Sequence, residues 1–191
     1  MPAEKHERMG AVLVLNISLL PLMTSAGMMY SVLPLYLSEL GAGRIAIGLL
    51  FTAGAATGAA SSIFIGKLAD RYGRAPLILF AQVCFAAVML LYSTIVYYTQ
   101  ALPLHILEGF GWAMLGVATP ALITDMTDRR RGEALGIYNA MWNFGWVVGP
   151  ALGGVLAELF GFKVMLRVAF LMIALGIAAT IYVFSKEDVK I

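Results

Sequence analysis

The chain has 191 residues, of which 61% are hydrophobic and only 13% are charged. A soluble domain carries about 25% charged residues, so this composition excludes an ordinary soluble protein and predicts a multi-pass membrane protein. The net charge of +2 is small, and its distribution gives no indication of nucleic-acid binding. Cys84 is the only cysteine, so no disulfide can form within the chain.

Six apolar blocks follow one another along the chain, each near or above the roughly 20 residues that a membrane-spanning helix needs. The first block is too long for a cleaved signal peptide, whose apolar core has about 7–15 residues, and we assign it as the first span. We therefore predict an all-α membrane protein in which residues 1–191 form one six-helix bundle, with helices at 10–37, 46–65, 75–98, 101–124, 133–159 and 164–184.

The positive charges predict how this bundle is oriented. Ten of the 13 lysines and arginines fall on the helix 2–3 connection, the helix 4–5 connection and the two tails, which contribute Lys5, Arg8, Lys186 and Lys190. Because cytoplasmic segments carry an excess of Lys and Arg, we expect a cell-membrane protein whose two termini face the cytoplasm.

A short charged strip, Gly66-Lys-Leu-Ala-Asp70-Arg71-Tyr-Gly73-Arg74, separates the predicted helices 2 and 3. We interpret it as a tight loop at the cytoplasmic surface, since glycines permit sharp turns and close backbone approach. Its acid can pair with the flanking cations or with a neighbouring helix end. A solvated turn that only sets the topology is the simpler interpretation, but the spacing favours a latch that gates a transporter.

The first eight residues of this strip recur 88 residues later as Gly154-Val-Leu-Ala-Glu158-Leu-Phe-Gly161. Three predicted helices lie between the two copies, so the copies end on opposite sides of the membrane. This pattern predicts two inverted three-helix repeats, at about 10–98 and 101–184, a construction that recurs in secondary transporters. Chance similarity between glycine-rich helix ends is the alternative.

Helix 4 carries His105 and Glu108 three residues apart on one face, which Trp112 continues. A carboxyl group inside a membrane is costly unless it is paired or hydrated, and such groups commonly mark ion or proton pathways. We therefore predict that Glu108 and His105 take up and release protons. The alternative for both residues is an interhelical hydrogen bond that serves packing.

Helix 5 places two asparagines and two tryptophans on one face at helical spacing, which suits contact with a solute through amides and ring stacking. Amides that hydrogen bond across the bundle are an equally open alternative. With residues from helices 1 and 4, the predicted solute-contacting set is Asn16, Tyr30, Trp112, Asn139, Trp142 and Asn143.

The second half of helix 5 is rich in small residues, and small residues four apart allow close contact between helix backbones. A proline there removes one helix hydrogen bond and favours a bend. The residues expected to serve helix packing are Gly145, Gly149, Pro150, Gly153 and Gly154. The chain has no metal-ligand spacing, phosphate-binding loop or paired nucleophile and base, so we expect no enzyme, no metal and no cofactor.

These motifs resemble those of the major facilitator superfamily. Residues 66–74 are similar to its signature between helices 2 and 3, and 145–154 to the helix 5 signature of its drug–proton antiporter branch. Asp125 followed by Arg131-Gly132 is similar to the pattern at the end of helix 4, which adds Asp125 and Arg131 to the gating residues. The resemblance implies alternating access around a central solute cavity, with Asp70 and the nearby arginines latching the inward-closed state.

Members of that family normally carry two such bundles in one chain, and a single bundle supplies only half of a cavity. We therefore expect a homodimer about an axis along the membrane normal, or pairing with a second half-bundle, with helices 1, 2, 4 and 5 facing inward. In the homodimer Asp70 would approach the start of helix 5, near Gly132, in the other copy. In helix 4 the family often has an arginine and a glutamine where this chain has His105 and Glu108.

The leading prediction is a proton-coupled secondary transporter that moves a small organic solute across the lipid bilayer by alternating access. The helix 5 motif favours efflux of amphipathic compounds, and transport of a sugar or metabolite is the alternative with the same fold. Alternatives of another kind are a non-transporting half that pairs with another subunit or acts as a membrane scaffold, and a fragment of a longer transporter.

Overall fold

A computed structural model describes residues 9–127 and 129–186 of the chain. Within these ranges each long helix is apolar and long enough to cross a membrane. They are α1 (Met9–Glu39), α2 (Arg44–Tyr72), α3 (Arg74–Tyr92), α4 (Ala101–Met126), α5 (Arg131–Phe160) and α6 (Phe162–Lys186). The predicted all-α fold with six spans is confirmed, while Lys5, Arg8 and Lys190 lie outside the described residues.

The charged strip at 66–74 is helical for most of its length, so its interpretation as a loop was wrong. Helix α2 continues through Tyr72, because Lys, Leu, Ala and Arg in this stretch all favour a helix. Only Gly73 joins α2 to α3. Its φ of +92° is a conformation that glycine adopts readily and other residues rarely do, and its N–H donates to the Ala69 carbonyl at 3.1 Å.

Helix α3 ends at Tyr92, six residues before the predicted end. The Tyr36 hydroxyl of α1 donates to the carbonyls of Tyr92 at 3.0 Å and Ile95 at 3.4 Å, so a neighbouring helix satisfies groups that a continuing helix would have used. The rest of this connection contains a single 3-10 turn at Tyr98–Gln100 that leads directly into α4.

The two copies of the repeated motif end their helices in the same way. Gly161, 88 residues after Gly73, has a φ of +81° and donates its N–H to the Ala157 carbonyl at 2.9 Å. Ala157 likewise lies 88 residues after Ala69. The repeated sequence therefore encodes one backbone device, a glycine that stops one helix and starts the next within a single residue.

Helix packing follows the repeat. Helix α1 packs mainly against α5 and α6, and α4 packs mainly against α2 and α3, while α3 and α6 contact each other. Exchanging α1, α2 and α3 for α4, α5 and α6 leaves this pattern unchanged, as two inverted three-helix repeats require.

Helices α1 and α5 are in backbone contact through glycines. A methyl group added at Gly145 would lie 2.6 Å from Met23 Cβ, and one added at Gly153 would lie 2.5 Å from the Met28 carbonyl oxygen. Gly149 is equally close to Thr24, and α5 runs through Pro150 without a break in the helix. A methyl group added at Gly154 would meet no other atom within 4 Å, so Gly154 takes no part in this contact.

Helices α2 and α4 make the equivalent contact. An added methyl group at Gly109 would meet the Gly54 carbonyl oxygen, and one at Gly58 would lie 3.3 Å from the Gly109 carbonyl oxygen. Outside these crossings, α2 and α5 leave one side of each helix exposed. The exposed positions there include small residues, among them Gly48, Ala55, Ala56 and Ala59 of α2 and Gly136, Ala140 and Ala151 of α5, together with large apolar residues such as Phe64 and Val147.

Gly153 and Gly154 provide a matched test of the α1–α5 crossing. We expect Gly153→Ala to lower the Tm of the purified protein, since its methyl group would overlap the Met28 backbone and overpacking costs about 1–3 kcal/mol. Gly154→Ala should leave the Tm unchanged or raise it, because alanine favours a helix by about 1 kcal/mol over glycine. Equal effects of the two substitutions, measured by thermal unfolding in detergent, would contradict the crossing.

Candidate functional site

The candidate site is centred on Glu108, which is 1% exposed in the first half of α4. Neither of its carboxyl oxygens has a hydrogen-bond partner among residues 9–127 and 129–186. A buried polar group without a partner is costly, and a charged one more so. A charged Glu108 is therefore energetically unfavourable in this largely apolar helix unless it binds a proton or a ligand.

Two polar groups lie beside the Glu108 carboxyl, one from its own helix and one from α1. They are the Trp112 indole and the Tyr30 hydroxyl, which lie near enough to stabilise the charged form of Glu108, although neither has the distance and angle of a full hydrogen bond to it. Trp112 Nε1 donates to the Tyr30 oxygen at 2.9 Å. This bond connects α4 to α1 directly next to the carboxyl group.

His105 lies one turn before Glu108, is 2% exposed and is contacted by residues of α3 and α2. Its Nδ1 shares a hydrogen bond with the Tyr92 hydroxyl, and its ring packs edge-on against Phe51 with centroids 5.1 Å apart. Its Nε2 is buried without a hydrogen-bond partner among the described residues. The imidazole thus has one nitrogen in use and one available for a proton or a ligand.

Aromatic rings from four helices surround this pair, and we call Tyr30, Phe51, Trp112, Trp142 and Trp146 the aromatic cluster. Tyr30 is at its centre, with ring centroids 5.9 Å from Phe51 and 5.6 Å from Trp146. Trp112 extends the cluster to Trp142 at 5.4 Å. The Trp146 indole nitrogen, like the Glu108 oxygens, is buried without a partner in the described chain. The cluster forms a continuous ring-lined wall across α1, α2, α4 and α5.

The predicted solute-contacting residues divide into two groups. Tyr30, Trp112 and Trp142 belong to the aromatic cluster. Asn139 and Asn143 lie on the exposed side of α5, where Asn143 Nδ2 donates to the Asn139 carbonyl at 2.7 Å.

Asn16 is placed differently, on α1. It is 2% exposed, and its Nδ2 donates to the Val12 carbonyl of its own helix at 2.8 Å. It shares a narrow crevice with Tyr138 and Trp142 of α5. Its side-chain amide nitrogen is thus already bonded to the α1 backbone.

Two members of the site escaped the sequence analysis. Phe51 and Tyr92 occupy apolar stretches of α2 and α3, where an aromatic residue gives no polar periodicity to detect. Trp146 was recognised on the polar–aromatic face of helix 5 but was not assigned to the solute-contacting set. Only the crossing of the helices places these three rings near His105 and Glu108.

The predicted gating residues lie at one end of the bundle. Arg74, at the start of α3, forms an ion pair with Asp125 near the end of α4 and donates to the Ala121 carbonyl at 3.3 Å. Asp125 is 57% exposed, so this pair contributes little to stability, about 0–1 kcal/mol. It ties α3 to α4 within one bundle.

The expected partners of Asp70 are not found within the described bundle. Asp70 is exposed and forms no ion pair with residues 9–127 or 129–186. Arg131 Nε donates to the Thr127 carbonyl at 3.1 Å, and Arg130 Nε donates to Glu133 at 2.6 Å. Gly66 is inside α2 with open space beside it, and Arg71 stacks its guanidinium on the Tyr72 ring. The ion pair that joins helices at this end is made by Arg74 rather than Asp70.

Comparison with known proteins identifies the family. A family model described as Major Facilitator Superfamily matches residues 15–190. The chain belongs to the major facilitator superfamily. Its six helices, repeated motif and glycine crossings correspond to one six-helix bundle of that fold.

Curated relatives extend the comparison. An uncharacterized MFS-type transporter of Methanocaldococcus jannaschii is 28% identical over 180 residues, which cover 93% of this chain and 46% of the relative. The quinolone resistance protein NorA of Staphylococcus aureus is 28% identical over 148 residues, which cover 77% of this chain and 38% of NorA. The chain thus spans less than half the length of these relatives.

The lack of partners around Glu108 predicts how stability responds to its removal. Glu108→Gln keeps the shape of the side chain and removes the possibility of a buried charge, so we expect a Tm at least as high as that of the unmodified protein. Gln82→Leu is the control, because Gln82 Nε2 donates to Thr180 Oγ1 at 3.1 Å and this buried bond would be lost. A fall in Tm of more than about 5 °C for Glu108→Gln would mean that the carboxyl is held by structural bonds.

Proposed function

We propose that the chain is one half of a secondary active transporter that moves a small organic solute by alternating access. The observation that carries this proposal is the buried, unpartnered carboxyl of Glu108 beside the aromatic cluster. Membership of a transporter superfamily supports the general class. The coupling ion, the solute and the assembly are the finer parts of the proposal.

Proton coupling is assigned to Glu108 and His105. A charged carboxyl in this apolar setting is unfavourable, so Glu108 gains by binding either a proton or the cationic part of a solute. Binding of one displaces the other, which is the minimal requirement for exchange of solute against protons. His105, one turn before Glu108 and with its Nε2 unpartnered in the described chain, is proposed to pass a proton to or from the carboxyl.

The solute is proposed to be amphipathic, and efflux is the favoured direction. The aromatic cluster offers flat apolar surface with polar edges, which suits planar organic compounds. One relative is a quinolone resistance protein, which agrees with such a solute class. Transport of a sugar or other metabolite is the second candidate, favoured by the exposed amides of Asn139 and Asn143 on α5.

A second six-helix bundle is needed to close the cavity, and we propose that it is another copy of this chain. The exposed sides of α2 and α5 combine small residues, which permit close helix contact, with large apolar residues such as Phe64 and Val147 that a second bundle would cover. Asp70, exposed and without an ion pair in the described bundle, is available to contact the second bundle and gate the cavity. A separately encoded half-bundle, or a non-transporting scaffold role, is the alternative.

The bundle is proposed to lie in the cell membrane with both termini in the cytoplasm. This follows from the excess of lysine and arginine in the segments that join α2 to α3 and α4 to α5, which contain Lys67, Arg71, Arg74, Arg129, Arg130 and Arg131. Because the number of predicted spans is even, both termini are proposed to lie on the same side of the membrane as these segments. A reporter enzyme that is active only outside the cytoplasm, fused to the C-terminus, should stay inactive, and an active fusion would reverse the orientation.

Transport against an imposed pH gradient tests the proton assignment. We expect proteoliposomes containing the chain to accumulate a fluorescent quinolone when the gradient is applied, and Glu108→Gln to reduce this accumulation at least tenfold. Glu158→Gln is the matched control, because that glutamate is exposed at the end of α5. Gradient-driven transport that survives Glu108→Gln would show that the carboxyl does not couple protons.

Stoichiometry tests the assembly. Native mass spectrometry of the chain in lipid nanodiscs should detect two copies per particle if the homodimer is correct. A tryptophan at Ala56, on the exposed side of α2, should reduce the dimer, whereas a tryptophan at Ile181 on α6 should not. A stable monomer for the unmodified chain would contradict the homodimer and direct the search to a separate half-bundle.

A further inference from the structure

The outer surface of the bundle carries an apolar groove that the proposed transport does not use. It is a groove of about 520 Å³ between α2, α3 and α4, within the size range of small-molecule sites. Its lining is apolar and includes Leu68, Tyr72, Pro76, Phe80, Cys84 and Leu107.

The groove and the candidate functional site lie on different faces of α4. Leu107, Phe110 and Met114 line the groove at helical spacing. Glu108 and Trp112 are on the side that faces the aromatic cluster, because a helix of 3.6 residues per turn places positions two apart on nearly opposite sides. An occupant of the groove therefore does not compete with an occupant of the site.

The groove has the depth of one membrane leaflet. Cys84 lies ten residues beyond Arg74 in α3, a rise of about 15 Å. The hydrocarbon core of a bilayer is about 30 Å thick, so one leaflet contributes about 15 Å. The groove thus extends along α3 from the charged end at least as far as the middle of the bilayer, and along α4 its lining continues to Leu107.

One cation, Arg71, lies at the charged end of the groove. The Arg71 guanidinium is 5.3 Å from the centroid of the Tyr72 ring, and that ring lines the groove. Lys67 precedes Arg71 by one helical turn, and like charges at this spacing repel each other. Neither cation forms an ion pair with the described residues, whereas Arg74 is paired with Asp125. An anion between Lys67 and Arg71 would remove this repulsion.

We propose that the groove binds one anionic phospholipid, with an acyl chain along α3 and the phosphate at Arg71, one helical turn from Lys67. The Arg71 cation favours a lipid with an anionic head group. The apolar groove, at least one leaflet long, favours an acyl chain as its occupant. The inference rests on the proposed orientation, which puts this end of the bundle in the cytoplasmic leaflet, the one that carries anionic lipids. Arg71 is also one of the predicted gating residues, so the proposal is tested by lipid retention, which does not require transport.

Native mass spectrometry of the full chain, purified with equal amounts of phosphatidylglycerol and phosphatidylethanolamine of matched acyl chains, tests the head group. We expect phosphatidylglycerol to be retained at least fivefold over phosphatidylethanolamine, since each nearby cation contributes about this factor. The double substitution Lys67→Gln and Arg71→Gln should bring the ratio close to one.

Two control variants separate this site from general charge attraction. Arg44→Gln removes an exposed cation at the opposite end of α2 and should leave the ratio unchanged. Arg71→Lys keeps the charge and should preserve most of the preference. Equal retention of both lipids by the unmodified chain, or an equal loss with Arg44→Gln, would overturn the proposal.

Photo-crosslinking tests the groove without altering the cations. A phosphatidylglycerol with a diazirine in its acyl chain should label peptides of α2, α3 and α4 that line the groove, and Leu68→Trp, which fills the groove, should reduce that labelling severalfold. Labelling confined to α5 or α6, or labelling unchanged by Leu68→Trp, would place the lipid elsewhere and overturn the assignment.

Discussion

Backbone contact between glycine-bearing helices is the constraint on which the rest of this bundle depends. Lipid tails are as apolar as leucine, so helices in a membrane associate through close packing rather than through a hydrophobic driving force. Gly149 brings the α5 backbone against α1, and Gly109 brings the α4 backbone against α2. Because the axes lie so close at these two crossings, the large side chains beside them are brought into contact.

The chemistry of the site follows from those crossings. Tyr30 lies one turn after Gly27 in α1, and Trp112 lies one turn after Gly109 in α4, so the close contacts of α1 with α5 and of α4 with α2 bring both rings to the centre of the bundle. The bond from Trp112 Nε1 to Tyr30 then connects the two repeats next to Glu108. A carboxyl surrounded by rings and lacking a partner among the described residues is stable only while its charge is neutralised or matched. That condition links packing to the proposed exchange of protons and solute.

The two copies of the repeated motif share one backbone geometry but carry different side chains. Gly73 and Gly161 both end a helix with positive φ, and each donates to an alanine carbonyl four residues earlier. Their surroundings differ, since the positions of Lys67 and Arg71 in the first copy are occupied by Val155 and Leu159 in the second. Backbone geometry is therefore shared by the two repeats, and side-chain charge distinguishes the two ends of the bundle.

The sequence by itself determined the six spans, the repeat and the family, because long apolar blocks, fixed-spacing glycines and clustered charges are local properties of the chain. It also singled out Glu108 and His105, since ionisable residues in an apolar helix stand out without a structure. It misjudged the strip at 66–74, where only one glycine interrupts the helix, and the end of α3, which depends on the Tyr36 hydroxyl of another helix. Only the tertiary structure decided which rings surround the carboxyl, that Arg74 pairs with Asp125, and that Asp70 forms no ion pair with the described residues. Helical periodicity reports which side of a single helix is polar, whereas these contacts depend on the angle and distance at which separate helices cross.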